Sequence, residues 1–249
     1  MKILLVSDLH ANAFALRAVW EKAPAHDAVL CLGDIVGYGA QPNECCEMLR
    51  EVNATCLQGN HDAAACGHPI IERFNAVARS SSEWTQQVLM RENRAFLEGL
   101  QPYRAFEEWE FEVVHASLDD PLAGYIQGVH SARATWKRMR FGLCFFGHTH
   151  RAAEVGEWDV PGKRYQTVDR SWREGGRFGV RGEGWRTLVN VGSVGLSREK
   201  DSLARFGVFD SNSREMEIFA IEYDVEAARR SVGEAGLPPQ LAERLTMGR

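Results

Sequence analysis

Five short apolar runs in this chain each stop at a side chain able to ligate a metal, and that repetition constrains the fold more than any other feature. Lys2–Ser7 ends at Asp8, with His10 close behind. Ala28–Leu32 runs into Gly33–Asp34, and Thr55–Gln58 runs into Gly59, Asn60 and His61. Glu112–Val114 ends at His115, and Leu143–Phe146 ends at Gly147–His148, with His150 just beyond. Continuous apolar runs of this length read as strands buried on both faces. Between the first three lie Ala13–Lys22, an amphipathic stretch that Asn12 can cap, and Pro42–Val52, with Pro42 in its first turn. Strand and helix in alternation predict βαβ units and a parallel sheet. In such a sheet, functional groups collect beyond the carboxyl ends of the strands. One polar residue at a strand end is ordinary. Five ends in succession hold five of the eight histidines and mark a site.

The rest of the chain is less regular. Ile70–Leu100 reads as helical, ending before Pro102, and Ser131–Arg140 as a basic helix with a solvated face. Residues 158–186 are rich in Gly, Arg and aromatics without a helical period, which predicts loops or short antiparallel strands. Thr187–Val191, Arg205–Phe209 and Met216–Glu222 read as strands, the last two as a hairpin around Asp210–Ser213. Asp224–Gly233 and Pro239–Leu245 close the chain as helices. Neither an internal repeat nor a linker is visible, so residues 1–249 are expected to form a single domain, with 70–102 as a helical insertion and 158–186 as an Arg/aromatic-rich one.

Composition narrows the class. With 29 Lys and Arg against 34 Asp and Glu, the net charge is −5, a poor match for a protein that coats nucleic acid or an anionic membrane. The apolar run at the N-terminus is too short for a signal peptide, and no stretch reaches the roughly 20 apolar residues that span a bilayer. The six cysteines show no CxxC spacing, so they read as small core hydrophobes rather than zinc ligands, disulfides or nucleophiles. A cytoplasmic protein acting on a small substrate is expected.

Carboxylate, imidazole and amide oxygen without thiolate favour divalent Mn, Fe, Co, Ni or Zn over soft ions. So many donors exceed the needs of one ion but suit two sharing a carboxylate. Asp34, from a middle strand, is the natural bridge. Two ions about 3.5–4 Å apart clamp a phosphoryl oxygen and bring the pKa of bound water toward about 7.

The blocks Asp8-Leu-His10, Gly33-Asp34, Gly59-Asn60-His61-Asp62, Val114-His115 and Gly147-His148-Thr149-His150 together resemble the calcineurin-like metallophosphoesterases in order and spacing, from Met1 to about Asp210. The segments GDIVGYG (33–39), FNAVA (74–78) and NVGSVG (190–195) resemble the small prokaryotic YfcE-like phosphodiesterase branch. The resemblance implies an α/β fold, a four-layer αββα sandwich with mixed sheets and a dinuclear site at the strand C-terminal edge. It further implies that Asp8, His10, Asp34 and His150 hold one ion, and Asp34, Asn60, His115 and His148 the other. His61 then lies beside substrate, protonating the leaving oxygen or steadying the transition state, and Asn60 also contacts substrate. Asp62 either orients that imidazole or caps the following helix.

The implied activity is hydrolysis of phosphoester bonds, phosphodiesters foremost, by a metal-bridging hydroxide with His61 assisting departure. Dinucleoside polyphosphate hydrolysis and protein phosphatase activity use the same site type. Purple acid phosphatases carry GDxxY, and serine/threonine protein phosphatases GDxxDRG. Here Gly37, Tyr38 and Gly39 stand in the last three of those places. Lacking that Arg weakens the case for a phosphomonoester dianion and favours diesters or polyphosphates. The non-enzymatic alternative is the protein-binding scaffold role of the retromer subunit of this fold, which lacks the histidine equivalent to His61. A small phosphoester or nucleotide is therefore the expected partner, with no membrane and no stable nucleic-acid complex. A homo-oligomer stays open.

Two features admit two readings. Trp158, Tyr165, Trp172 and Trp185 interleave with Arg164, Arg173, Arg177, Arg181 and Arg186, as either a cap that stacks a base or an edge hairpin packed on the second sheet. Arg198 either reaches substrate phosphate or lies on an exposed loop. His26, His68 and His130 match no motif and read as structural.

Overall fold

A computed structural model describes residues 1–158, 166–180, 182 and 184–248. Two six-stranded sheets pack face to face between layers of helix. The first half of the chain supplies β1 (Lys2–Val6), α1 (Ala13–Lys22), β2 (Ala28–Cys31), α2 (Pro42–Glu51) and β3 (Thr55–Cys56). Helices α3 (Asn60–Ala65), α4 (Ala76–Val88) and α5 (Arg91–Glu98) follow. Then come β4 (Tyr103–Phe106), β5 (Phe111–Val114), α6 (Val129–Trp136) and β6 (Leu143–Phe146). Strands β7 (Ala152–Trp158), β8 (Gln166–Ser171), β9 (Gly176–Gly179), β10 (Trp185–Val191), β11 (Ala204–Asp210) and β12 (Glu215–Ile221) precede α7 (Val225–Glu234) and α8 (Pro239–Met247).

The sheet orders are β3-β2-β1-β11-β12-β9 and β4-β5-β6-β10-β7-β8. Both are mixed: β1, β2 and β3 run parallel, as do β5, β6 and β10, while β11 is antiparallel to β1. The alternation of side chains along a strand explains the layering. From β1, Ile3 and Leu5 join Phe111, Val113, Phe145 and Val189 in the core between the sheets. Leu4 and Val6 turn the other way, onto Leu16, Val19 and Leu49 of α1 and α2. Across the second sheet, Val114 and Phe146 pack under Ala132 and Trp136 of α6. The layers are helix, sheet, sheet and helix, the expected αββα sandwich.

Several elements refine the sequence reading. The 70–100 stretch is a 3-10 turn (Pro69–Arg73) and two helices, broken where the Met90 amide donates to Asn43 Oδ1 at 2.8 Å. Strand β4, unmarked by any alternation, pairs antiparallel with β5. In the Arg/aromatic segment, Arg164, Tyr165 and Arg181 lie outside the described residues. The described part corrects the hairpin reading: β8 extends one sheet beside β7, whereas β9 extends the other beside β12. Trp172 stacks on Phe178 at 4.4 Å and packs against the core between the sheets. Among the described residues, no helix is long and apolar enough to cross a membrane, and all six cysteines are free thiols.

Candidate metal centre

Because β1, β2 and β3 run parallel in one sheet and β5 and β6 in the other, their carboxyl ends open on one edge. Backbone bonds lace the loops together there. His10 N donates to Asp34 O at 3.0 Å, Gly147 N to His115 O at 2.8 Å, and Gly195 N to Asp8 O at 3.0 Å. The strand-end residues pay for this close approach in backbone conformation: Asp8, His10, Asp34, His148 and His150 have φ of 54°, 47°, 53°, 63° and 59°. Left-handed φ is disfavoured for residues with a side chain, and such strain clusters at functional sites.

Two groups of donor atoms converge: Asp8, His10, Asp34 and His150, and Asp34, His115 and His148. Asp34 belongs to both. Its Oδ1 accepts from the His61 amide at 2.8 Å, which leaves Oδ2 at 3.7 Å from His10 Nε2 and 3.5 Å from His115 Nε2. Asn60 Oδ1 joins the second group, 3.1 Å from His115 Nε2. Asp8 is braced by Ser7 Oγ at 2.7 Å and by the His148 amide, with Oδ1 3.4 Å from His150 Nε2. His10, His115 and His150 each donate Nδ1–H to a main-chain carbonyl, of Val36, Leu32 and Leu196. That second partner fixes the ring and turns Nε2 inward, as in metal-binding histidines. His148 Nε2 is buried with no hydrogen-bond partner. Inward lone pairs, an orphaned imidazole nitrogen and a shared carboxylate fit divalent cations and little else.

The electrostatics of three of the histidines agree. Burial drives His10 and His150 well below the ordinary histidine range and His148 down to about 3, so their nitrogens carry lone pairs at neutral pH. Burial pushes Asp8 up to about 7. Burial opposes charge on both Asp34 and His115, yet their attraction wins, holding Asp34 well below the carboxylate range and His115 up to about 9.

His61 stands beside both groups but joins neither. Its ring lies 4.4 Å from Tyr38, 4.6 Å from Phe74 and 4.9 Å from His10, and Nδ1 is buried without a partner. Burial lowers it to about 4. Gly37, with φ of 86°, makes room for it: a Cβ there would stand 2.6 Å from His61 Nδ1. Asp62 does not orient this ring. Its Oδ1 accepts from Val36 N at 3.0 Å and its Oδ2 from Gly59 N at 2.9 Å, so of the two sequence readings the structure selects the cap.

One cleft is lined by Asp34, Asn60, His61, His148 and His150, and Arg198, given two readings from the sequence, lies on its wall. Phe74, Asn75 and Ala78 of the FNAVA segment line it too. Sequence reasoning missed Arg73, Tyr125 and Arg244 on the same walls. No motif marks them, and Arg244 comes from α8, at the far end of the chain. His68 caps the 3-10 turn by accepting from Ile70 N at 3.1 Å, and His26 donates Nδ1–H to Pro24 O at 2.8 Å.

The model of the calcineurin-like phosphoesterase superfamily domain matches residues 1–214. An uncharacterised protein of Methanocaldococcus jannaschii is 33% identical over 263 residues, covering 99% of this chain and 98% of that protein. The crystal structure of a metallophosphoesterase from Sphaerobacter thermophilus superposes with a TM-score of 0.87 at 34% identity, covering 100% of this chain and 99% of that one. A hypothetical protein of Pyrococcus horikoshii shares the fold at 16% identity, with a TM-score of 0.79 over 100% of this chain and 98% of its own.

Proposed function

The chain belongs to the calcineurin-like phosphoesterase superfamily, and from its membership in this family of phosphoric ester hydrolases we propose that it cleaves small phosphodiesters at a two-cation centre, with His61 assisting the leaving group. The observation that carries this reading is the sharing of Asp34 by two donor groups that open, together with His61, on one cleft.

Asp8, His10, Asp34 and His150 would hold one cation, and Asp34, Asn60, His115 and His148 the other. Divalent Mn, Fe, Co, Ni and Zn all suit this donor set. When bound, such cations polarise phosphoryl oxygens and make water a nucleophile near neutral pH. The protein supplies the rest. Asn60, at the cleft surface, orients a phosphoryl oxygen through its amide, and Arg198 adds positive charge on the wall. His61 is locked by Tyr38 and Phe74 with Nδ1 shut away, which leaves Nε2 to hold a proton at the leaving-group oxygen. The loss of the DRG arginine at the 38 position supports diesters over monoester dianions.

The test is hydrolysis of bis(p-nitrophenyl) phosphate with added Mn²⁺, with and without a chelator. Chelator-sensitive release of p-nitrophenolate is expected. Absence of turnover with every divalent ion of the series would instead point to a binding scaffold.

A further inference from the structure

The helical pair α7–α8 lies beyond the matched superfamily domain, which ends at residue 214. It is nevertheless built into the site. Ala228, Val232, Leu241 and Leu245 pack on Tyr38, Ala78 and Leu196. The Lys200 amide donates to Gly248 O at 3.0 Å, tying the end of α8 to the loop that bears Arg198. From α8, Arg244 enters the catalytic cleft. Its guanidinium lies over the Tyr38 ring, 5.5 Å from the centroid, and Nη1 is buried with no hydrogen-bond partner among the described residues. Arg198 reaches the same cleft from the opposite segment, and both arginines act electrostatically on His61 and Tyr38. Neither forms an ion pair with a carboxylate of the described residues, whereas Arg73 at the cleft mouth pairs with Asp120 at 3.8 Å.

Half-buried guanidiniums without an anion are unfavourable, and planar arginines are well matched to phosphate oxygens. Arg198 acts electrostatically on Asp8, but neither Asp8 nor Asp34 makes an ion pair with either arginine, and both carboxylates turn into the donor groups. Two divalent cations held by these two carboxylates would already outweigh the single negative charge of a simple diester, so two further guanidiniums call for further negative charge on the substrate. We propose that Arg244, acting with Arg198, binds a second phosphoryl group adjacent to the one cleaved, selecting esters with a P–O–P linkage. This rests on the phosphoesterase reading and gives its substrate class.

The experiment compares kcat/KM for thymidine 5′-p-nitrophenyl phosphate, with one phosphoryl, and dithymidine 5′,5′-diphosphate, with two. Arg244→Gln should lower the value for the diphosphate by on the order of 10- to 100-fold more than for the monophosphate ester, as expected for a lost charge-assisted hydrogen bond. Arg244→Lys should restore part of the difference, and both variants should melt with the parent. Equal losses on the two substrates, or none, would overturn the proposal. Calorimetric titration with inorganic pyrophosphate gives a second readout free of turnover. Its Kd should rise on the order of tenfold in Arg244→Gln, and an unchanged Kd also overturns the proposal. If the parent cleaves neither substrate with any divalent ion, the phosphoesterase reading fails while the titration still decides the role of Arg244.

Discussion

The Nε2 atoms of His10 and His150 face each other at 3.0 Å, while the Nδ1 of each is committed to a main-chain carbonyl. Both inward nitrogens therefore carry lone pairs, and a lone pair cannot hydrogen-bond another. A cation between them converts repulsion into coordination, so metal binding and folding are linked.

Saturating Mn²⁺ is expected to raise the melting temperature. At a hundredfold excess over Kd the linkage is worth about 2.7 kcal/mol, a rise of roughly 5–10 °C for a chain of this size. A chelator should reverse it, and His10→Ala should abolish most of it. Scanning calorimetry decides; an unchanged melting temperature in the parent would remove the basis for a resident cation.

Asp34→Asn should release metal and lower turnover by more than about 100-fold, beyond what outer-shell changes around metals cause. Elemental analysis of the purified variant, beside its rate on a diester, tests both halves. Retention of metal at the parental level would show that Asp34 is not shared.

His61→Ala is expected to keep its metal, since the imidazole belongs to neither donor group. Turnover should fall about 10²- to 10⁴-fold, the range for a lost general acid. A variant as fast as the parent would deny the ring any part in leaving-group departure.

Gly37→Ala attacks the same residue from behind. The added methyl meets the His61 ring at 2.6 Å from Nδ1, on a backbone with φ of 86°. Left-handed backbone alone costs about 1–2 kcal/mol for a residue with a side chain. The expected signature is reduced kcat with metal content intact, read by single-turnover kinetics. A variant with the parental kcat would show that the packing of glycine against His61 is incidental.

Arg205 and Asp201 give a pH-dependent contribution to stability. Burial would raise the Asp201 carboxyl, but the Arg205 guanidinium, at 2.7 and 2.8 Å, overrides it and holds the group at about 2. A carboxyl depressed in the folded state stabilises at pH above its unfolded value, about 3.9, and that stabilisation is lost as pH falls toward about 2. Arg205 is 1% exposed, so Arg205→Met should cost about 3 kcal/mol at neutral pH. Chemical denaturation from pH 6 to pH 2 should show the variant losing less stability than the parent across that window.

The sequence made the centre legible because strand ends are punctuated: Asp8, Asp34, Asn60, His115 and His148 each follow an apolar run, and the structure brings them to one edge. Helix α1 was readable to the residue, since Asn12 caps it, accepting from Ala15 N at 3.1 Å. Strand β4 was not, because its register is dictated by its partner β5 and not by its own alternation. Asp62 was ambiguous because a carboxylate beside a histidine suits catalysis and capping alike until its hydrogen bonds are seen. Arg244 was invisible because only tertiary packing carries α8 across to the cleft.

Strand β1 sits between β2 and the antiparallel β11, whose residues are Ala204–Asp210. The loop that bears Asp8 and His10 thus depends on a strand far along the chain, and Leu196, which steadies His150, is also distant in sequence from it. The donor set gathered from the first half of the chain thus sits in a sheet sealed by a strand about two hundred residues further on, and a truncation before β11 should leave Asp8 and His10 without the backbone that aligns them.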